Sequence, residues 1–305
     1  MADNCICGED VKALGTPNCI PNFGVGAKLL LAQLVNSENV RQNIDITAID
    51  ATYFTDRVND PEYKDRIHPT PVMENYTYDP AEDEVQTTTG GTTFTLRDGR
   101  VTITGQFMNM NPTFYGQLKS IKCPKMGFMI VDRGGNLIGD SSEAFDNDIL
   151  KFVPIQKGSV QVRFFAATDA TVPYVMISFQ IDSTFDIANL GMIEASDIPE
   201  SLLDLEDAIP AVGVASDIST TGATVAIGYL YGTGNTREPL TDAVSGDFVL
   251  KEISPTPSTI TITSSVETPD GTYEFVFPTQ TSGDVLELTL NKDGFALEPV
   301  RILIP

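Results

Sequence analysis

The sequence predicts an all-β protein with a minor helical share, in which a β-sandwich or barrel-like first unit is followed by a smaller sandwich. Three observations carry that expectation. Turn signals recur at short intervals: Thr87-Thr88-Thr89-Gly90-Gly91, Asp132-Arg133-Gly134-Gly135-Asn136 and Pro269-Asp270-Gly271 bound runs that are short for helices. The runs between them alternate. In VTITGQF, Val101, Ile103 and Gly105 face one way and Thr102, Thr104 and Gln106 the other, the period-2 mark of a half-buried strand. At 305 residues and 41% hydrophobic content, the chain has the length for two packed cores and is not composed like a disordered one.

A net charge of -23, from 42 acidic and 19 basic residues, argues against nucleic-acid binding by phosphate neutralisation and leaves repulsion of a duplex as the usable effect. The acids are spread along the chain and are not gathered in a tail. The opening MADNCICGEDVKALG lacks a basic stretch followed by an apolar one, and no run approaches the roughly 20 apolar residues of a membrane span. The expectation is therefore a protein made and kept in a cytoplasm, with no membrane partner. Four cysteines do not make a disulfide framework.

In chain order, residues 1–23 read as an irregular arm that orders against a neighbour. Its Cys5, Cys7 and Cys19 match no standard zinc spacing and lack a nearby fourth ligand. Residues 24–210 form the expected assembly domain. GAKLLLAQLV, from Gly26, has helix formers but a Gly-rich entry and an Asn36-Ser37-Glu38-Asn39 exit, which favour a strand, with Asn43–Ile49 as its partner. Tyr53–Arg66 predicts a short helix leading to the extended link His68-Pro69-Thr70-Pro71. Residues 74–91 are acidic and then Thr/Gly-rich, a long hairpin or loop.

The stretch Thr92–Asp182 is the scaffold. Phe114, Leu118 and Ile121 recur at helical spacing between Pro112 and Pro124. Met126–Val131 is nearly all apolar, as a strand covered on both faces would be, and a turn at Asp132–Asn136 returns it into Leu137–Gly139. Gly139–Asp148 is an acidic loop. Ser183–Pro210 leaves the sheet, with PESLLDLEDA as one short amphipathic helix.

From Ala211 to Pro305 short alternating strands recur: Ala223–Tyr231, Phe248–Ile253, Thr259–Ser264, Thr272–Phe277, Val285–Leu290 and Val300–Ile304. They specify an immunoglobulin-like sandwich without the Cys and Trp pins of antibody domains. The final stretch, GTYEFVFPTQTSGDVLELTLNKDGFALEPVRILIP, resembles the last strands of bacterial and phage Ig-like modules.

Candidate chemistry is sparse. His68, the single histidine, sits in a loop and reads as a surface or interface residue rather than a general base. Asp132, ahead of Gly134, Gly135 and Asn136, hints at a calcium loop but lacks the Asp-x-Asp-x-Asp spacing and the closing Glu. The pair Asp146/Asp148 and the run Glu82/Asp83/Glu84 would serve acid-base or glycosidic chemistry only if held in a cleft. No nucleophile-elbow, P-loop, dinucleotide or zincin motif is present. The expectation is no enzyme, no catalytic residue, no metal and no cofactor. The absence of Trp argues against a sugar platform and leaves at most a weak glycan contact by the Ig-like module.

At HPTPVMEN, TTFTLRDGRVTITGQF and MGFMIVDRGGNLIGD the first 200 residues resemble virion structural proteins of tailed bacteriophages, of the kind found in phages of Bacteroidetes. The resemblance implies a tail tube or tail ring. The chain would assemble with itself into a hexameric ring, stack, contact other tail or neck proteins, and be built in the host bacterial cytoplasm into a virion, with the Ig-like module outside. Carboxylates among Asp140, Glu143, Asp146, Asp148, Glu82, Asp83 and Glu84 would then line a lumen and repel the passing DNA. Two alternatives stand beside it: a head-tail neck or capsid decoration protein, and a carbohydrate-binding adhesin or hydrolase with an Ig-like accessory domain.

Overall fold

The structure is a computed structural model that describes residues 24–60, 62–97, 99–142, 148–230, 237–253, 258–292 and 294–305. The expected arm at residues 1–23, with Cys5, Cys7 and Cys19, lies outside them.

The first unit enters through β1 (Gly26–Gln33), β2 (Asn43–Asp45), helix α1 (Tyr53–Val58) and β3 (Ile67–Pro69). It continues through β4 (Glu74–Pro80), β5 (Glu84–Thr87), β6 (Thr93–Arg97), β7 (Val101–Met108) and helix α2 (Pro112–Ser120). β8 (Met126–Asp132), β9 (Leu137–Asp140), β10 (Ile149–Lys151), β11 (Val153–Pro154), β12 (Gln161–Phe165), β13 (Tyr174–Gln180) and β14 (Leu190–Ile193) complete it. Eight strands make one sheet in the order β2-β10-β9-β8-β1-β3, with β11 added on β8 and β14 on β9. Four make a second, β12-β13-β7-β4, and β5 pairs only with β6.

Alternate residues of β1 explain how these layers stack. Leu29 and Leu31, with Phe128 and Ile130 of β8, face the second sheet and meet Ile103, Phe107, Val175, Ile177 and Phe179. Leu30 and Ala32, with Met129 and Val131, face the other way onto Phe54 and Val58 of α1 and onto Ile198, Leu202 and Leu205. The larger sheet is thus covered on both faces, which is why β8 is buried throughout and apolar up to Asp132, while the smaller sheet has one wet face and alternates. The β8–β9 hairpin forms as expected, Ile130 opposite Ile138. Asp132 organises its turn, accepting from Gly134 N at 2.7 Å and Asn136 N at 2.9 Å, and Gly135 takes φ 84°. Helix α2 starts where Asn111 accepts from Phe114 N at 2.9 Å, with Pro112 in the first turn.

Four expectations are corrected. Asn43–Ile49 does not pair with β1; its first three residues form β2 on β10, and Asp45 then caps a 3-10 turn at Ile46–Ala48 that ends the strand. Residues 74–91 are not a loop throughout, because β4 is an edge strand on β7 and only the β5–β6 hairpin beyond it projects. Residues after Ser183 return to the sheet as β14 on β9. PESLLDLEDA is not helical. The carbonyls of Leu202, Leu203 and Leu205, which a helix would give to its own amides, instead accept from the ammonium of Lys28, at 3.5 Å for Leu202 and 3.0 Å for Leu203.

Lys28 is 3% exposed, and its ammonium donates to three backbone carbonyls in place of water. Desolvation lowers its pKa from the usual lysine value, with Glu206 and Asp204 acting in the opposite direction. Lys28→Met leaves those carbonyls without a donor and is expected to cost about 1–3 kcal/mol in urea unfolding at neutral pH. The folded pKa lies below that of the unfolded chain. The wild type therefore gains stability relative to the variant as pH rises through the window ending near 10.5, where the unfolded chain still holds the proton.

The second unit comprises β15 (Ile209–Ser219), β16 (Gly222–Leu230), β17 (Arg237–Pro239), β18 (Phe248–Glu252), β19 (Ser258–Ile260), β20 (Ser264–Glu267), β21 (Thr272–Val276), β22 (Val285–Leu290), β23 (Phe295–Leu297) and β24 (Val300–Leu303). The orders β20-β21-β16-β15-β23 and β19-β18-β22-β24 are those of an immunoglobulin-like sandwich, with β15, β16, β21 and β20 in one sheet facing β18, β22 and β24 in the other. The run expected as one strand at Thr259–Ser264 is divided between the two sheets, as β19 and β20. In place of a disulfide pin, the buried Tyr273 hydroxyl donates to Leu240 O at 2.8 Å and accepts from Ala243 N at 3.2 Å. Phe248 packs 5.1 Å from the Tyr273 ring. Tyr273→Phe leaves both backbone groups unpaired and is expected to destabilise this sandwich by about 1–3 kcal/mol, a loss read in its own unfolding transition.

Candidate assembly surfaces

The residues singled out for chemistry do not converge. His68 Nδ1 lies 3.2 Å from Asp207, with the Tyr63 ring 5.7 Å away, an arrangement that ties the start of β3 to the segment before β15. Asp132 is 1% exposed and spends its carboxylate on its own turn and on Gly24 N, at 3.2 Å. Asp140 is corrected as a lumen candidate: it is 3% exposed and bonded to Arg41 at 2.8 Å. Asp148 is exposed in a turn with φ 53°. Asp83 is exposed and accepts from Gly99 N at 2.7 Å, Glu82 is exposed, and the Glu84 side chain lies outside the described residues. Glu143 and Asp146 lie outside them as well. Among the described residues no group of three or more His, Cys, Asp or Glu is placed to hold a metal. No helix among them is long and apolar enough to cross a membrane.

A cleft of about 380 Å³ lies between α1, the segment 200–206 and Gly294. Its Glu200 is committed to structure: the carboxylate accepts from Phe54 N at 2.9 Å and Thr55 N at 3.1 Å, covering the free amides at the start of α1. In the same cleft Ser201 donates to Asp204 at 2.7 Å, and Gly294 N donates to Asn59 at 3.2 Å.

The unusual surface is the four-stranded sheet. Its outward face is built in cross-strand rows. Arg163, Met176, Gln106 and Glu74 form one, Gln161, Ser178, Thr104 and Thr77 the next, and Gln180, Thr102 and Asp79 a third. The interior of the face mixes hydroxyls and amides, Thr104 donating to Ser178 at 3.2 Å, with apolar groups at Met176 and at the row Phe165, Tyr174 and Met108, where the Phe165 and Tyr174 rings stack 4.5 Å apart. Charge stands at the two margins, Arg163 on β12 and Glu74 and Asp79 on β4. Each of these outer strands pairs on one side only, which leaves a row of backbone donors and acceptors unsatisfied within the chain. A bulge between Glu74 and Thr77, with Asn75 at φ 50°, interrupts the β4 edge.

Beyond β4 the hairpin β5–β6 stands alone. Val85 is 55% and Phe94 56% exposed, on opposite faces of the ribbon, since Val85 lies opposite Thr95 and Phe94 opposite Gln86. A two-stranded ribbon without a packed face is marginal in water, so apolar groups on both sides point to a surface that covers it. Sequence reasoning singled out the acids of this region but not its edges, because an edge is defined by strand order.

Comparison with protein-family models, with curated proteins and with solved structures finds no match for this chain.

Proposed function

We propose that this chain is a structural subunit that joins copies of itself head to tail into a ring, of the tail-tube type in a tailed-bacteriophage virion, with its Ig-like sandwich on the outside. The observation that carries the reading is the pair of open, oppositely charged edges on one small sheet. All pairings in that sheet are antiparallel and its strands number four, so β12 and β4 run in opposite directions. A neighbour's β4 laid against β12 would therefore continue the antiparallel pattern. Arg163 would then face the acids of the next copy in the same row that ends at Glu74. Such a heterologous contact closes into a ring when its rotation divides the circle. The channel so formed would present hydroxyls and amides to a passing duplex, interrupted by Met176 and the Phe165–Tyr174 stack. Exposed carboxylates at Glu82, Asp83 and Asp148 are available to face that channel or an adjacent ring and to repel phosphate.

Hydrogen exchange at low and high protein concentration tests the edge contact. Backbone amides of Thr77–Asp79 and Gln161–Phe165 are expected to gain protection as oligomers form. Oligomers that leave both edges exchanging as fast as in the monomer contradict it.

A further inference from the structure

The backbone bonding of the four-stranded sheet fixes which groups lie open at its two margins. Asn109 N donates to Pro173 O at 2.7 Å and Ile181 N to Val101 O at 3.0 Å, so the odd-numbered residues of β7 and β13 bond to each other. Ala81 N donates to Arg100 O at 3.1 Å, which turns the even-numbered residues of β7 towards β4. Antiparallel alternation carries this outwards. Glu74, Thr77 and Asp79 direct their backbone groups to β7, and Gln161, Arg163 and Phe165 direct theirs to β13. The open groups therefore belong to Tyr76 and Tyr78 on β4 and to Val162 and Phe164 on β12.

The side chains along these margins match in one alignment. On β12 the outward residues run Phe165, Arg163, Gln161, and Ser159 just before the strand accepts from Gln180 N of the third row at 3.0 Å. On β4 the rows of Arg163, Gln161 and Ser159 end at Glu74, Thr77 and Asp79. Val72 precedes them, 52% exposed beside the buried Met73. A neighbour's β4 laid on β12 row by row thus sets Phe165 against Val72, Arg163 against Glu74 and Gln161 against Thr77. Each is a non-hydrogen-bonded pair, the kind whose side chains come closest, and the alternation of the sheet runs unbroken into the next copy. A slip of one residue turns the core side of a strand outward. A slip of two sets Arg163 against Val72 or Phe165 against Glu74.

Charge favours the same alignment. Between Ile67 and Leu96 there is no Lys or Arg, and between Ile149 and Thr168 there is no Asp or Glu. Arg163 donates to Gln161 of its own strand at 3.1 Å, and Glu74 has Arg133 at 3.9 Å with both more than half exposed. At the far end Lys157 is exposed in the turn before β12, where the neighbour's chain leaves β4 for the hairpin root at Glu82 and Asp83. Pro80, which has no N–H, closes the open ladder there.

We propose that copies join in this single register, β4 of one on β12 of the next, with Arg163 and Glu74 as the pair that selects it. The occupant is a second copy of this chain. The inference rests on the ring reading and adds to it the residue pairing at the joint.

Disulfide trapping on the full chain tests it. Gln161 and Thr77 stand at opposite margins of the sheet within one copy, but in the proposed joint their Cα atoms come to about 4.5 Å, within reach of a disulfide. Q161C/E74C and R163C/T77C are one row out of step and leave about 8 Å, beyond that reach. Mild oxidation of Q161C/T77C is expected to give a ladder of covalent multimers at least about tenfold stronger than those of the out-of-step pairs or the single variants, which report what the native cysteines contribute. A charge swap gives a second readout. R163E is expected to associate about tenfold more weakly in low salt at an unchanged melting temperature, and R163E/E74R to recover. Trapping that does not favour Q161C/T77C while the wild type forms oligomers, or a swap that fails to recover, overturns the register and leaves the ring reading standing. A wild type that stays monomeric at every concentration overturns the ring reading, and the register with it.

Discussion

Phe128→Ala is expected to be the most damaging single substitution in the first unit, at about 3–5 kcal/mol in urea unfolding. Phe128 is 1% exposed at the centre of β8, and its ring meets Phe179 of the opposite sheet edge to face, with centroids 5.0 Å apart. Truncation removes that ring from the contact between the two sheets, where backbone on both sides limits how far the cavity can collapse. The loss should appear in the transition of the first unit alone, because the Ig-like sandwich has a separate core built around Val225, Phe248, Tyr273 and Leu286. A parallel shift of both transitions would mean that the two cores unfold as one.

Excising the β5–β6 hairpin should have the opposite profile, with little effect on stability and a large one on assembly. Ala81 N donates to Arg100 O at 3.1 Å, so β4 and β7 are already closed against each other where the ribbon departs. Replacing residues 82–99 with Asn-Gly would complete a two-residue hairpin there. The excised chain is expected to keep a melting temperature close to that of the wild type and to remain monomeric where the wild type associates. A collapse of the melting temperature would show that the ribbon is part of the fold and not a docking element.

How much of this was legible in the sequence depended on whether a residue's role was local. β7 could be read from its alternation, β8 from its unbroken apolar run, and the Asp132 turn from its glycines, since each signal lies within a few residues. The partner of Asn43–Asp45 was not legible, because period-2 alternation marks a strand without naming its neighbour. PESLLDLEDA shows helical spacing at Leu202 and Leu205, and both leucines are buried. What overrides the helix is Lys28, more than 170 residues away in sequence, which takes the carbonyls. Asp140 likewise has the sequence context of a surface acid, and only the fold sets Arg41 beside it. β4 was hidden by its acids, although Tyr76 and Tyr78 keep the alternation of a strand. The two open edges were the least legible feature, since they exist only once the order β12-β13-β7-β4 is known.

The central claim is self-assembly through those edges, and negative-stain imaging of the purified full chain at high concentration tests it most directly. Rings of uniform diameter are the predicted result, and their stacking into tubes would support the tail-tube role over that of a neck component. Fields of isolated monomers at concentrations far above those of an assembling virion subunit would contradict it.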